Sequence, residues 1–204
     1  MTSLFLDTSE HLVLGILDRS FSWIDYIDTK EKKGSGVIHG LLFELLKKNR
    51  LVTADIENIF IMAGPGSYTG MRLGEGLAQV LELFNVNVFS TYHFDIPFIL
   101  NVDRGVWASK AFKGEIFVYS WEHLDNSYQL LAENKFEQLC LNSQKNTIQY
   151  YTHVMDDIFV NFEQTSELIK INSTIIFKYL FDHKTRKELY YYRPLELEFK
   201  QTAK

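Results

Sequence analysis

Hydrophobic positions at the start of the chain come in short blocks closed by turn-prone polar residues, which predicts strands rather than helices. Ser3 to Leu6 is one block, ending at Asp7-Thr8-Ser9; Leu12 to Leu17 is a second; Phe21 to Ile27 is a third. Their short connections predict antiparallel hairpins. From Val37 the period changes. Ile38, Leu41, Leu42, Leu45 and Leu46 recur at helical spacing, with Glu44, Lys47 and Lys48 elsewhere on the turn. Asn58 to Ala63 is a continuous apolar run of strand length, as expected of a strand buried on both faces. Gly64-Pro65-Gly66-Ser67 breaks it, and a second helix is predicted from about Thr69 to Phe84, with Leu73, Leu77, Val80, Leu81 and Phe84 on one side. Val86 to Phe89 reads as a further strand.

The second half is patterned less clearly. Val106 to Phe112 and Glu115 to Trp121 predict a hairpin around Lys113-Gly114. Tyr128 to Leu131, Thr147 to Tyr151 and Leu189 to Tyr192 read as strands, and Ser166 to Phe181 as one helix. The order β-β-β-α-β-α-β of the first half makes this an α/β protein. A boundary is placed near residue 100, giving lobes of 1–100 and 101–204. His93, His123, His153 and His183 stand thirty residues apart, but their flanking residues do not match, so the spacing is not read as a repeat.

Composition narrows the function classes. The 204 residues are 46% hydrophobic, enough for a proper core. Twenty-one basic against 26 acidic residues give a formal charge of −5, which excludes a strongly basic nucleic-acid binder acting alone, since such domains carry a basic surplus. The single cysteine, Cys140, excludes an intramolecular disulfide. No basic leader with an apolar stretch opens the sequence, and no run approaches the ~20 apolar residues a membrane span needs, so a cytoplasmic soluble protein is expected. Aromatic residues make up 15%; their clustering after residue 88 predicts ring packing in the second lobe rather than a base-stacking platform.

Candidate chemistry centres on Gly64-Pro65-Gly66-Ser67-Tyr68-Thr69-Gly70-Met71-Arg72-Leu73-Gly74. The stretch follows a strand and opens a helix, where glycines allow close backbone approach and free N–H groups favour an anion. No Lys-Ser/Thr pair follows, so it is not a Walker A loop. Asp7 and Thr8 with Gly64, Gly66, Ser67 and Thr69 are the candidate nucleotide or phosphate residues; Asp7 could hold a hydrated Mg²⁺, and the competing reading is a plain hairpin turn beside a tight strand-to-helix turn. Gly70, Gly74 and Ala78 form a small-residue stripe along the predicted helix. Glycine inside a helix costs about 1 kcal/mol against Ala, so the stripe calls for close contact, either with a partner helix or with the chain's own sheet. His39 has no second ligand at i+4, and the other histidines and Cys140 show no ligand spacing, so no metal site is expected.

These residues together resemble the TsaB (YeaZ) family. The glycine stretch matches its Gly-x-Gly-Ser-Phe/Tyr-Thr-Gly-Leu/Met-Arg-x-Gly pattern in full; Leu4-Phe5-Leu6-Asp7-Thr8-Ser9, the helix around His39 and Lys113-Gly114-Glu115-Ile116-Phe117 fit beside it, and Tyr192-Arg193-Pro194 matches more weakly. The resemblance implies a two-lobed actin/Hsp70-like fold of the RNase H type with mixed sheets. It also implies a non-catalytic subunit that dimerises with a TsaD-like enzyme, works with a TsaE-like ATPase, and supports N6-threonylcarbamoyladenosine formation at tRNA position 37, with tRNA met only through the complex and a homodimer formed when alone. The lone His39, where TsaD carries His-x-x-x-His, fits TsaB. The implied partner interface takes Ile38, His39, Leu41, Leu42, Leu45, Gly70, Met71, Arg72, Leu73, Gly74, Leu77 and Ala78. No catalytic residue is implied, and ATP or ADP with Mg²⁺ at the partner junction is the cofactor left open. One departure stands out: Lys110 occupies the position of a family Asp. The rival reading is an active ATPase or kinase of the same fold using Asp7 and the Gly64–Gly70 loop.

Overall fold

The computed structural model describes residues 1–30, 36–123, 125–143 and 148–192. The first sheet is built by β1 (Thr2–Asp7), β2 (Val13–Leu17), β3 (Trp23–Asp28), β4 (Ile56–Met62) and β5 (Asn87–Thr91). Its spatial order is β3-β2-β1-β4-β5, antiparallel across the hairpins and parallel from β1 through β5. Between β3 and β5 lie α1 (Ile38–Lys48) and α2 (Tyr68–Glu82), and α3 (Ile96–Ile99) follows β5. The second sheet holds β6 (Arg104–Lys110), β7 (Glu115–Glu122), β8 (Asp125–Ala132), β9 (Gln149–Thr152) and β10 (Glu163–Gln164), with α4 (Glu133–Ser143) between β8 and β9. Two helices close the described chain, α5 (Thr165–Ile171) and α6 (Ser173–Asp182).

The second sheet runs β8-β7-β6-β9-β10, which is the order of the first. In both, two antiparallel hairpin pairings lead into two parallel ones. The chain is thus duplicated in topology, although no repeat is legible in sequence. The match extends to register: Asp7 at the end of β1 pairs with Val13, and Lys110 at the end of β6 pairs with Ile116, six residues on in each case.

Period-two alternation sorts the first sheet into two faces. Leu4, Leu6, Leu14, Ile16, Ile59 and Ile61 point one way and pack under Ile38, Leu45 and Leu46 of α1 and Ala78 and Leu81 of α2. Phe5, Val13, Leu17, Phe60 and Met62 point the other way and pack under Ile169 of α5 and Ile176, Phe177 and Leu180 of α6. The first face is aliphatic. The second is aromatic: Phe60 stacks on Phe89 at 5.0 Å between centroids, and Phe177 sits 4.9 Å from Phe60 and 5.3 Å from Phe5. Many of the rings assigned from sequence to packing within the second lobe therefore hold the last helices against the first sheet. The second sheet has its own aromatic layer of Phe94, Trp107, Phe117, Trp121 and Tyr151.

Three expectations need correction. Ser166 to Phe181 is two helices, because Asn172 turns its side-chain amide back to the Leu168 carbonyl (3.1 Å) and ends α5 there. Leu189 to Tyr192 forms no strand; Tyr190 donates one backbone bond to Ala63 O, and Tyr191 and Tyr192 are engaged through their side chains. The helix α4 was not expected, because apolar positions such as Phe136 and Cys140 are isolated among polar neighbours. Thr147, Arg193 and Pro194 lie outside the described residues.

Candidate functional site

The glycine loop is shaped by close approach. Gly64 has φ +104°, a conformation that favours glycine, and its carbonyl accepts the His93 amide at 2.9 Å. Ser67 caps α2 by accepting from Gly70 N at 3.3 Å. A Cβ on Gly66 would stand 2.5 Å from Ser9 O, one on Gly70 would run into the Thr8 carbonyl oxygen, and one on Gly74 would stand 2.8 Å from Thr8 Oγ1. These glycines therefore let α2 lie directly on the turn that follows β1. Gly76, in the same helix, faces open space.

Beneath the loop lies a buried polar cluster. Asp7 Oδ1 accepts from the Ser9 amide (2.8 Å) and the Ser9 hydroxyl (2.6 Å). Ser9 Oγ also lies 2.7 Å from His93 Nε2, which stands 3.3 Å from Asp7 Oδ2. The other ring nitrogen of His93 lies 3.0 Å from Thr165 Oγ1, whose hydroxyl donates to Thr152 O at 3.1 Å. Burial alone would raise Asp7, but the charge of His93 and the hydrogen bonds from His93 and Ser9 outweigh it and hold the carboxyl well below the usual carboxylate range. His153 stacks on His93 at 4.3 Å and on Trp107 at 5.4 Å. Burial, and next the charge of His93, push its basicity well down. Ser9 and Asp7 meet the same ring nitrogen, so this is not the relay of a serine nucleophile, in which acid and nucleophile use opposite nitrogens.

Above the cluster a cleft of about 550 Å³ opens between the sheets, lined among others by Ser9, Gly66, Ser67, Lys110, His153 and Tyr192. Lys110 pairs with Asp156 at 2.6 Å in its lining. By the shared register, Lys110 stands in the second sheet where Asp7 stands in the first. The two equivalent strand ends thus carry one carboxylate, already engaged, and one ammonium, while Glu10 and Asp156 are the carboxylates that line the cleft itself. Paired carboxylates that could share a hydrated cation are not formed by these two positions.

Of the candidate phosphate residues, Gly66 and Ser67 line the cleft, Asp7 is buried beside Ser9, Thr8 and Gly64 are buried, and Thr69 is exposed on the first turn of α2. Of the candidate interface residues, Ile38, Leu45, Met71, Gly74 and Ala78 are buried in this chain, and Gly70 abuts Thr8. Leu41, Leu42, Leu73 and Leu77 are half-buried, and His39 and Arg72 are exposed. Arg72 lies over the Tyr68 ring at 4.5 Å and donates to Tyr191 OH at 3.3 Å. Outward-facing apolar residues that the motif did not single out are Phe43 (62% exposed), Val80 (50%) and Phe84 (72%). Ser9 was visible only as part of a turn. His93, His153 and Thr165 gave no signal beyond the position of both histidines just past strand ends, where sites of parallel sheets gather.

Several known proteins are similar to this chain in sequence or in fold. A protein of Mycoplasma pneumoniae described as an uncharacterized MG208 homolog is 25% identical over 193 residues, 88% of this chain and 94% of the relative. The tRNA threonylcarbamoyladenosine biosynthesis protein TsaB of Bacillus subtilis is 34% identical over 82 residues, 40% of this chain and 36% of that protein. YeaZ from Pseudomonas aeruginosa superposes with a TM-score of 0.52 at 20% identity, over 66% of this chain and 68% of that one. A second structure, described as similar to peptidase YeaZ from the same organism, gives 0.54 at 19% identity over 74% of each chain. No family model matches. The chain is similar in fold to YeaZ and, over part of its length, in sequence to a TsaB; its own fold is α/β with two mixed sheets. Among the described residues, no helix is long and apolar enough to cross a membrane.

Proposed function

We propose that this chain is a non-catalytic subunit in the formation of N6-threonylcarbamoyladenosine on tRNA, acting in the cytoplasm by docking α1 and α2 onto a TsaD-like enzyme. The observation that carries the reading is an outward apolar stripe. Val80 and Phe84, along and just past α2, and Phe43 of α1 are exposed, and Leu41, Leu42, Leu73 and Leu77 lie half-buried between them and the core on the same face of the first sheet. Such a face has no use in solution and suits the core of a protein–protein interface. Gly76 leaves open space along the stripe. The partial likeness to a TsaB supports the choice of partner. The cleft supports a subunit without its own chemistry, since Asp7 is engaged by Ser9 and His93, and Lys110, at the equivalent strand end of the second sheet, is paired with Asp156. The enzyme would be activated by preferential binding of its active conformation, a population shift. ATP or ADP with Mg²⁺ belongs, in this reading, to the junction with the partners.

The test is co-purification of tagged chain from its own cell lysate, with Phe43→Asp and Val80→Asp as surface variants. The wild type brings down a TsaD-like protein; the variants keep the wild-type melting temperature and lose it. Capture of the partner at wild-type levels by both variants would refute the interface.

A further inference from the structure

We infer that Arg72 is a pre-set fork for a carboxylate on the TsaD-like partner, with Tyr191 as its positioning residue; this rests on the docking of α2 proposed above and adds the chemistry of the group that meets it. Arg72 is exposed, yet its side chain is held from two sides. The guanidinium lies over the Tyr68 ring at 4.5 Å, and its Nε donates to Tyr191 OH at 3.3 Å. Tyr191 packs on Tyr68 with ring centroids 5.1 Å apart, so the three side chains close into one unit. Tyr191 is itself fixed by its chain neighbours: the Tyr190 amide donates to Ala63 O at 2.9 Å, and the Tyr192 hydroxyl lies 2.7 Å from Ser109 Oγ. With Nε used, the two terminal nitrogens of Arg72 carry the remaining donors, the edge that meets a carboxylate two-pronged. An arginine ordinarily loses rotamer freedom when it binds; here most of that loss has been taken in the free chain.

The counter-charge has to come from outside. Glu75, three residues on, is the acidic neighbour that Arg72 would meet on its own helix. Arg186 takes it instead, with Nη2 at 2.6 Å from Oε1 and Nη1 at 3.0 Å from Oε2, and Gln79 Nε2 donates to Oε1 at 2.9 Å. The segment after α6 thus supplies one arginine to neutralise Glu75 and one tyrosine to hold Arg72, and among the described residues no carboxylate pairs with Arg72. Position along α2 defines the occupant. Arg72, Gly76, Val80 and Leu83, spaced four, four and three, form one outward row. It runs from a cation, past a glycine with open space, to two exposed apolar side chains. Arg72 and Val80 are eight residues apart, about 12 Å along the axis. The row fits a helix of the enzyme lying along α2, with apolar side chains on Val80 and Leu83, close approach at Gly76, and an Asp or Glu about two turns away facing Arg72. Such a pair fixes the register of docking, on a chain whose net charge is −5.

The test titrates the full chain and its variants with the TsaD-like protein that the wild type captures from its own lysate. Arg72→Gln and Arg72→Lys are expected to weaken binding by at least about tenfold, since lysine keeps the charge but not the fork. Tyr191→Phe keeps the ring, removes the hydroxyl and weakens binding roughly two- to tenfold. All three keep the wild-type melting temperature. Added sodium chloride weakens wild-type binding more steeply than binding of Arg72→Gln, which a purely structural role would not produce. Wild-type affinity in Arg72→Gln, or the same salt dependence, overturns the inference and leaves the docking reading standing. Full affinity in Arg72→Lys overturns the fork, and full affinity in Tyr191→Phe overturns the positioning role. A loss of binding matched by a fall in melting temperature makes the unit structural and also overturns it. A wild type that captures no TsaD-like protein overturns the docking reading and this inference together.

Discussion

Replacing glycine by alanine at three sites of α2 separates close packing inside the chain from contact with a partner. At Gly76 the added methyl meets nothing within 4 Å, so only the backbone effect counts, and alanine is favoured by about 0.5–1 kcal/mol in a helix interior. For a chain of this size that raises the melting temperature by about 1–4 °C. At Gly74 the methyl stands 2.8 Å from Thr8 Oγ1 and 3.6 Å from Leu6 Cδ2. Thr8 must yield, an overpacking cost of about 1–3 kcal/mol that cancels or exceeds the helix gain. At Gly70 the methyl overlaps the Thr8 carbonyl oxygen, which is backbone and cannot rotate aside. There the helix gain is overtaken, and a net loss of about 2 kcal/mol lowers the melting temperature by about 4–8 °C. Thermal unfolding followed by circular dichroism ranks the variants. The expected order is Gly76→Ala above wild type, Gly74→Ala at or below it, and Gly70→Ala lowest. A Gly70→Ala protein as stable as wild type would refute the packing argument and return the small-residue stripe to the partner surface.

Leu45→Asp places a charge at a position only 1% exposed; it is expected to abolish folding, seen as insoluble expression, whereas Phe43→Asp expresses as wild type. Asp7 is held below its ordinary value in the folded state, so its contribution is complete above about pH 4, the unfolded value, and is lost as pH falls through the depressed folded value. Acid titration of stability should therefore show a steeper low-pH loss in wild type than in Asp7→Asn; parallel curves would contradict this. Lys110→Ala breaks an ion pair whose ammonium is 43% exposed. Solvent screening keeps the loss small, so the urea unfolding midpoint is expected to stay close to that of wild type. Burial, and next Glu137, push the Cys140 thiol up to about 11, so it should react slowly with a disulfide reagent at neutral pH in the native protein and fast after unfolding.

The first sheet and its helices were legible because each strand is an apolar block closed by turn residues and each helix keeps one continuous stripe. The second sheet was legible at its hairpin, where Gly114 adopts φ +73°, and in the apolar cores of β8 and β9, but not in the two-residue β10. Leu189 to Tyr192 alternates like a strand, yet only Tyr190 meets a backbone partner, and no pattern within four residues reports whether a neighbour is there. The same limit hid the buried cluster. Asp7-Thr8-Ser9 signals a turn by itself, and what makes Asp7 distinctive is His93, brought to it by parallel pairing of β1, β4 and β5. The glycine stripe was legible as a demand for close contact, while its partner, the Thr8 turn, lay more than sixty residues upstream.

The aromatic face of the first sheet also sets a timetable for synthesis. Phe5, Phe60 and Phe89 leave the ribosome long before Ile176 and Phe177, the residues that cover them. At about 5–20 residues per second, the interval between the end of β5 and the start of α5 is roughly 4–15 s. During it the nascent chain carries a finished sheet with one sealed side and one open, ring-lined side. Chains that stop short of α5 and α6 keep that side open, which makes them natural clients for chaperones and proteases, and the last helices to be made are the ones that release the protein from that surveillance.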